Sequence, residues 1–185
     1  MKKKVLVFLA PGFEEIETIT VIDILRRAGV EVMVGGTIEG PITGSRGVRL
    51  LADCSLDNAQ NETFDMVVLP GGGEGVAHLG QDKRVMQILN DAIKKRNVRG
   101  EGIWIGAICA APSLIAQALI GRKATSHPCV QSEMPGVEYQ EERVVVDGPF
   151  ITSRAPGTAM EFALELVSRL CGAERYRVIK KDVLA

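Results

Sequence analysis

The chain has 185 residues, of which 46% are hydrophobic and 24% charged, and its formal net charge is −1 at pH 7. This length fits one domain with a sizeable core, which we expect to span residues 1–185. The composition argues against a largely disordered chain. A near-neutral charge without a basic stripe argues against a nucleic-acid partner.

The N-terminus has the basic start of a signal peptide, but the apolar run that follows, Val5 to Ala10, is too short for one. Pro11 and Gly12 then interrupt it. No stretch of the sequence is long and apolar enough to cross a bilayer. We therefore expect a cytoplasmic protein with no membrane partner.

Buried strands and amphipathic helices alternate along the chain. The run at 4–10 suits a strand covered on both faces, residues 14–28 have one apolar stripe and end at Gly29, and 30–34 form the next strand. This alternation predicts a doubly wound α/β sheet. Further strands are predicted at 66–69, 103–107, 144–146 and 150–152, a hairpin or edge strand at 44–51, and helices at 84–95, 110–119, 158–171 and from 173.

Three of the predicted strands end in unusual residues. Open α/β sheets bind ligands at the carboxyl ends of their strands, and these three ends are expected at the same edge. The segments are Pro11 to Glu17, which contains three glutamates, Pro70 to Gly73, and Ile108 to Pro112.

The chain has four cysteines, and none lies in a close pair. Their spacing argues against a zinc site, and disulfides are not expected in a reducing cytosol. No metal or organic cofactor is indicated. A cysteine is by default a small buried hydrophobic residue, so a reactive role depends on its local setting. The four are Cys54, Cys109, Cys129 and Cys171.

Cys109 has the setting that favours a reactive thiol. Ala107 and Ala111 lie two residues before and after it at a predicted strand-to-helix switch, as a nucleophile elbow requires. The start of a helix favours a thiolate, and the backbone N–H groups of Ala110 and of residues 71–73 are candidate oxyanion donors. The alternative is a packed thiol in an alanine-rich helix start.

Carboxyl and imidazole groups are the candidate partners of this thiol. One of the glutamates at the first strand end would face Cys109 in protonated form and relay protons, or all three simply open a helix. A Cys–His hydrolase needs a nearby histidine, for which His127 is the better candidate, although a loop histidine is often only solvated. His78 is interpreted as a surface helix residue.

Several motifs in order resemble the ThiJ/PfpI superfamily, in the branch of the parkinsonism-associated protein deglycase and its bacterial YajL-type relatives. The match covers most of the chain. It includes LAPGFEEIET at 9–18, Asp23 with RRAG at 26–29, SRGV at 45–48, LPGG at 69–72, AICAAP at 107–112, and TSR with PGT at 152–158.

This resemblance implies a three-layer flavodoxin-like sandwich with a mostly parallel central sheet, and a homodimer. It implies that Cys109 is the nucleophile and the peroxide-sensitive thiol, with Glu17 as its protonated partner. The other implied site residues are the backbone donors Gly72 and Ala110, His127 near the cysteine, and Arg27 and Arg46 near the dimer interface and pocket.

Two features depart from the family's patterns. No histidine follows Cys109 directly, unlike in the protease-like branch, which argues against a peptidase. Leu51 stands where the family has a second oxidisable cysteine at the dimer interface, and Cys54 is nearby but not at the matching position.

Three functional hypotheses follow. The first is a cofactor-independent enzyme of glyoxalase III or deglycase type, acting on small dicarbonyls such as methylglyoxal and glyoxal or on glycated protein. The second is a redox-responsive chaperone or oxidative-stress sensor that responds to oxidation of Cys109. The third and weakest is a Cys–His peptidase or amidotransferase-like hydrolase.

Overall fold

Short apolar strands form a seven-stranded sheet through the centre of the protein, in a computed structural model that describes residues 2–94 and 102–185. In chain order the strands are β1 Lys4–Leu9, β2 Glu31–Gly36, β3 Pro41–Thr43, β4 Arg49–Leu51, β5 Cys54–Ser55, β6 Met66–Leu69, β7 Trp104–Ile108, β8 Lys123–Ala124, β9 Glu138–Tyr139, β10 Val144–Asp147 and β11 Phe150–Ser153.

The main sheet has the strand order β10-β11-β7-β6-β1-β2-β5. Neighbouring strands are parallel except for the β10–β11 pair at one edge. The β3–β4 pair forms a separate antiparallel hairpin, and β8 and β9 form a short parallel pair. The expected mostly parallel α/β sheet is therefore confirmed.

Helices cover both faces of this sheet. In chain order they are α1 Glu15–Arg27, α2 Leu56–Ala59, α3 Gly73–Gln81, α4 Lys83–Lys94 and α5 Ala159–Asp182. Alternate residues of β1 point to opposite faces, so Val5 and Val7 pack with α1 and α5, whereas Leu6 and Phe8 pack with α2, α3 and α4. The result is the expected three-layer sandwich.

Two helix predictions have different outcomes. Gly172 has a φ of 86° inside α5, which separates the predicted helix that ends at Cys171 from the one that begins at Ala173. The segment after Cys109, however, is a 3₁₀ helix over Ala111–Leu119 that is interrupted at Ile115, not the predicted α-helix. The end of the helix predicted at 84–95, at Lys95, lies outside the described residues.

The predicted hairpin at 44–51 is present with its strands shifted, so that residues 44–48 form its turn. This turn rests on the chain that follows β1: Gly12 donates its backbone N–H to the Thr43 carbonyl over 2.8 Å, and Ser45 donates to the Phe13 carbonyl over 2.8 Å. The hairpin is thereby attached to the edge of the sheet where β1 ends.

Among the helices within residues 2–94 and 102–185, none combines the length and the apolar character that a bilayer crossing requires.

Candidate active site

The three unusual strand ends meet at one edge of the sheet, as the sequence predicts. They follow β1, β6 and β7, which are adjacent and parallel. The backbone N–H of Glu14 donates to the Gly71 carbonyl over 3.0 Å, and the backbone N–H of Cys109 donates to the Ser153 carbonyl over 3.0 Å. The loop after β7 is thus held beside the end of β11.

Cys109 has a strained backbone conformation. Its φ is 64°, in the left-handed region that residues with a Cβ seldom adopt, and its side chain is only partly buried. The Ser153 carbonyl and the His127 N–H, which donates to the Cys109 carbonyl over 2.7 Å, fix the peptide groups on both sides. Such strain at the switch from strand to helix is the geometry of a nucleophile elbow.

Gly71 and Gly72 allow the strand ends to approach each other closely. A Cβ on Gly71 would lie 2.5 Å from the Cβ and 3.1 Å from the Sγ of Cys109, and would also overlap Oε2 of Glu17. Gly72 has a φ of 91°, and a Cβ there would lie 2.8 Å from the Glu14 nitrogen. Only glycine fits at these two positions.

Glu17 is the acidic group that faces the cysteine. Its side chain is fully buried, and Oε2 accepts a hydrogen bond from the Gly71 N–H over 2.8 Å. Oε1 is buried and has no hydrogen-bond partner. The Cys109 thiol faces the carboxyl but is not placed to donate a well-aligned hydrogen bond to Oε1. An unpartnered buried oxygen disfavours the ionised form of the group.

The pKa of Glu17 is raised from its ordinary value to about 7. Burial is the main cause, and the charge of Glu14 acts in the same direction, whereas the facing Cys109 thiol and the Gly71 N–H act against it. Glu17 therefore keeps its proton over much of the acidic range.

Burial raises the pKa of the Cys109 thiol to about 12, and the charge of Glu17 contributes to this rise. The backbone N–H groups of Gly72 and Ala110 hydrogen-bond to Cys109 and lower its pKa. The expectation that a helix dipole favours the thiolate is therefore wrong. The segment after Cys109 is a 3₁₀ helix interrupted at Ile115 instead of a regular α-helix. Burial next to a carboxylate raises the Cys109 pKa more than the dipole of this short helix lowers it.

Glu17 and Cys109 consequently behave as a pair that carries one negative charge at most. Two adjacent charges in a buried site repel each other strongly, so the second proton is retained whichever group loses the first. Ionised Glu17 with a neutral thiol, and neutral Glu17 with a thiolate, are the two singly charged forms of the pair.

His127 lies next to Cys109 through its backbone rather than its ring. Its N–H contacts the Cys109 carbonyl, but its Nδ1 accepts the backbone N–H of Cys129 over 3.3 Å. Within the described residues, the ring makes no hydrogen bond with the thiol. This geometry does not provide the oriented base that a Cys–His peptidase needs.

The other two glutamates have structural partners. Glu14 caps α1 by accepting the Glu17 N–H over 2.8 Å, which agrees with the simpler interpretation of a helix-opening charge. Glu15 is buried and accepts hydrogen bonds from the Ser45 hydroxyl over 3.0 Å and from the backbone N–H of Arg46. It therefore fastens the turn of the β3–β4 hairpin beside the candidate site.

The two arginines implied by the family resemblance are exposed. The Arg46 guanidinium donates to the Ser45 carbonyl over 3.2 Å. Arg27 donates to Asp23 over 2.9 Å and lies ten residues after Glu17 on α1, about 15 Å along the helix axis. A single copy of the chain therefore does not bring Arg27 to Cys109, because the two ends of α1 are too far apart.

Three residues have roles at the site that the sequence did not predict. They are Gly71, which holds Glu17, Ser153, which anchors the Cys109 backbone, and Glu15, which holds the hairpin turn. Gly71 and Ser153 lie in motifs that match the family. Glu15 shares its helix-opening position with two other glutamates, so only packing distinguishes it. His78, interpreted as a surface residue, is half-buried, with Nδ1 2.8 Å from the Pro11 carbonyl oxygen.

Fold and site together define a class: an α/β protein with an elbow cysteine at the carboxyl edge of a mostly parallel sheet. A model of the DJ-1/PfpI family matches residues 3–169. The chain belongs to this family, which confirms the resemblance noted in the sequence.

Individual relatives match along almost their whole length. Protein dj-1beta of Drosophila melanogaster is 41% identical over 189 residues, covering 100% of this chain and 98% of its own. The glutathione-independent glyoxalase DJR-1.2 of Caenorhabditis elegans is 35% identical over 186 residues, covering 98% of this chain and 96% of its own. The crystal structure of Drosophila melanogaster DJ-1beta has a TM-score of 0.91 at 39% identity, covering 100% of this chain and 99% of that one.

Proposed function

We propose that this protein is a cofactor-independent enzyme of glyoxalase III or deglycase type, with Cys109 as its nucleophile. The observation that carries the proposal is the surroundings of the thiol. A buried carboxyl with a pKa of about 7 faces it from one side, and the backbone N–H groups of Gly72 and Ala110 point toward it. A relative named a glutathione-independent glyoxalase supports the same activity.

The reaction begins when the Cys109 proton moves to Glu17, which leaves a thiolate beside a neutral carboxyl. The sulfur attacks the aldehyde carbon of methylglyoxal, and an S–C bond forms as the C=O π bond becomes an oxyanion. The Gly72 and Ala110 N–H groups stabilise that oxyanion, and Glu17 returns the proton to give a hemithioacetal.

A proton shift then completes the conversion. Glu17, now ionised, removes the proton from the former aldehyde carbon, and reprotonation at the neighbouring carbon gives a lactate thioester of Cys109. Water breaks the S–C bond, releases lactate and restores the thiol. No electron leaves the substrate, because one carbon is oxidised while its neighbour is reduced. Early dicarbonyl adducts on proteins are the alternative substrates of the same site.

His127 and Arg46 are assigned supporting roles in this proposal. The His127 ring, on the loop that contacts Cys109, exchanges protons with solvent, and Arg46 on the hairpin turn attracts the anionic product. We further propose that the protein works in the cytoplasm as a homodimer, which would be required for Arg27 to approach a site.

The test is turnover of methylglyoxal without added cofactor by wild type, Cys109→Ser and Glu17→Gln, with Cys171→Ser as the matched control. Both site variants should lose turnover, by about 100-fold or more, whereas the control retains it. Lactate formation that survives Cys109→Ser would contradict the proposal.

A redox-responsive chaperone or sensor is the second candidate function. It is favoured by the partly exposed thiol of Cys109, whose Gly72 and Ala110 donors would also hold the oxygens of an oxidised sulfur. In that case no dicarbonyl is consumed, and peroxide treatment changes client binding in wild type but not in Cys109→Ser.

A further inference from the structure

A second thiol lies on the loop that contacts Cys109. Residues 125–134 run past the site, and the loop is fixed at its start because the Thr125 N–H donates to Thr152 Oγ1 over 2.9 Å. Two residues later the His127 N–H donates to the Cys109 carbonyl over 2.7 Å. Cys129 follows after one intervening proline.

Backbone geometry keeps Cys129 close to Cys109. Hydrogen-bonded backbones such as those of Cys109 and His127 lie about 5 Å apart. Cys129 is the second residue of the 3₁₀ segment Pro128–Glu133, and its N–H donates to His127 Nδ1 over 3.3 Å, so the turn folds back on the histidine. Two residues of chain span at most about 7 Å, so the Cys129 Cα lies within about 12 Å of the Cys109 Cα. A disulfide needs Cα atoms about 4.4–6.8 Å apart, so the turn must move toward Cys109 for the bond to form.

The turn that carries Cys129 has few buried contacts. A 3₁₀ segment has weaker hydrogen bonds than an α-helix. Its side chains at 128, 129 and 131–133 are exposed, and Val130 and Met134 are the buried anchors on either side. Local rearrangement at this position therefore requires little loss of buried contact.

The other cysteines are placed differently. Of the four, all of which lie in described parts of the chain, only Cys129 is exposed. Cys54 is in β5, separated from β7 by three strands of the sheet, and Cys171 is in α5.

We infer that Cys129 is a resolving thiol that forms a disulfide with Cys109 after peroxide has oxidised the latter. The inference rests on the proposed role of Cys109 as the reactive thiol. The Cys109 thiolate attacks a hydroperoxide oxygen, the O–O bond breaks, and a sulfenic acid and one molecule of water or alcohol form. The Cys129 sulfur then attacks the Cys109 sulfur, the S–O bond breaks, and water leaves.

The two thiols together supply the two electrons that reduce the peroxide. The disulfide stops oxidation of Cys109 before the sulfinic acid, which thiols do not reverse. It also blocks the nucleophile, so dicarbonyl turnover is switched off under peroxide stress and returns when a dithiol reduces the bond.

The experiment treats wild type, Cys129→Ser, and the controls Cys54→Ser and Cys171→Ser with a small excess of hydrogen peroxide. Free thiols are then blocked, and peptides are mapped by non-reducing mass spectrometry. Wild type and both controls should contain an intramolecular Cys109–Cys129 disulfide and should recover turnover with dithiothreitol. Cys129→Ser should accumulate sulfinic Cys109 and recover less than about a tenth of its turnover.

A free Cys129 next to sulfinic Cys109 in peroxide-treated wild type would overturn the inference while the proposed enzyme survives. Untreated Cys129→Ser keeps wild-type turnover, since the backbone contact to His127 is retained. If Cys109 remains unoxidised in all four proteins, its role as a peroxide-reactive thiol fails together with the inference. Loss of methylglyoxal turnover in Cys109→Ser would still show that Cys109 is the nucleophile of the enzyme.

Discussion

At the scale of single residues, the site requires glycine at position 71, because the Glu17 carboxyl and the Cys109 side chain lie too close to its Cα to leave room for a Cβ. Gly71 lies between the Glu17 carboxyl and the Cys109 side chain, and its N–H holds the carboxyl in place. The strained Cys109 backbone is in turn fixed by the Ser153 and His127 backbones. Each group of the site is therefore positioned by another.

Gly71→Ala should disrupt this arrangement, because the new Cβ would overlap Glu17 Oε2 and the Cys109 side chain. We expect a loss of about 1–3 kcal/mol in the free energy of unfolding, measured by urea denaturation, together with slower reaction of Cys109. Gly73→Ala is the matched control, since a Cβ there has nothing within 4 Å. Equal stability of the two variants would argue against the close packing at Gly71.

Glu17 should make the protein less stable as pH rises. Its folded pKa of about 7 exceeds the ordinary value of 4.5, so the folded state binds its proton more tightly. The associated stability is fully present below pH 4.5 and is lost as pH rises through 7, an effect of about 3 kcal/mol. Glu17→Gln should therefore be more stable than wild type at pH 8, by urea denaturation.

The stabilities of wild type and Glu17→Gln should be compared at pH 4.5 and pH 8, with a variant of an exposed carboxyl as the control. At pH 4.5 the Glu17→Gln variant and wild type should have similar stability, since both side chains are then neutral. Glu174→Gln, at an exposed position, should leave the pH dependence unchanged. A Glu17→Gln variant with the full pH dependence of wild type would exclude Glu17 as its source.

At the scale of elements, the β3–β4 hairpin is attached to α1 by Glu15. Although burial opposes ionisation, hydrogen bonds from Arg46, Ser45 and Val48 lower the pKa of Glu15. The stability that it contributes is therefore present above its ordinary pKa and is lost as pH falls through the lowered folded value.

Glu15→Gln should loosen the hairpin turn at pH 7, because a neutral amide accepts these hydrogen bonds more weakly. We expect a loss of about 1.5–3 kcal/mol and faster amide hydrogen exchange at Arg46 and Val48. At strongly acid pH, where Glu15 of the wild type is protonated and as neutral as the glutamine, the difference should disappear. Glu39→Gln, at an exposed position before the hairpin, should have no effect, and exchange unchanged in both variants would refute the attachment.

Sequence patterns predicted the long elements of this fold better than the short ones. The strands of the parallel sheet are continuous apolar runs, and α1 has a clear stripe, so both were found within a few residues. Strands of two residues such as β5, β8 and β9 are too short to show a period. Over nine residues, 3₁₀ and α spacings are nearly alike, so the interrupted segment Ala111–Leu119 was mistaken for an α-helix.

The site was predictable to a similar degree. Small residues around Cys109 marked the elbow, and the order of the strands brought Gly72 and Glu17 to it. The direction of the Cys109 pKa was not predictable, since it depends on burial beside Glu17, which only the packed structure defines. The role of Arg27 stays a prediction, because a motif match does not specify which copy of the chain a residue serves.

At the scale of the whole molecule, α1 and β4 together expose an apolar surface. Ile16 and Ile19 on α1 are 56% and 41% exposed, and Leu51 on β4 is 71% exposed. Contiguous apolar side chains on a surface commonly mark an interface. We therefore propose that the expected homodimer forms here, with residues 1–185 as one domain in each copy.

Leu51→Asp combined with Ile19→Glu should convert the dimer to a monomer, because burying two new charges at an interface is unfavourable. Sedimentation velocity at micromolar concentration measures the change in mass. Leu184→Asp, at a residue that is 94% exposed near the C-terminus, is the control and should leave the dimer intact. A double variant that sediments like wild type would place the interface elsewhere.

The most direct test of the account is the rate of Cys109 alkylation by iodoacetamide as a function of pH, followed by peptide mass spectrometry in wild type and Glu17→Gln. If Glu17 accepts the thiol proton, the wild-type rate should rise with an apparent pKa near 7, where the pair loses its first proton, and should then level off while the pair carries one charge. In Glu17→Gln the rise should move above pH 9, the ordinary thiol value, because burial alone then opposes the thiolate. A wild-type rate that keeps rising through pH 9 as that of Glu17→Gln does, without levelling off above pH 7, would contradict the account, since it would show that Glu17 and the thiol do not share one proton.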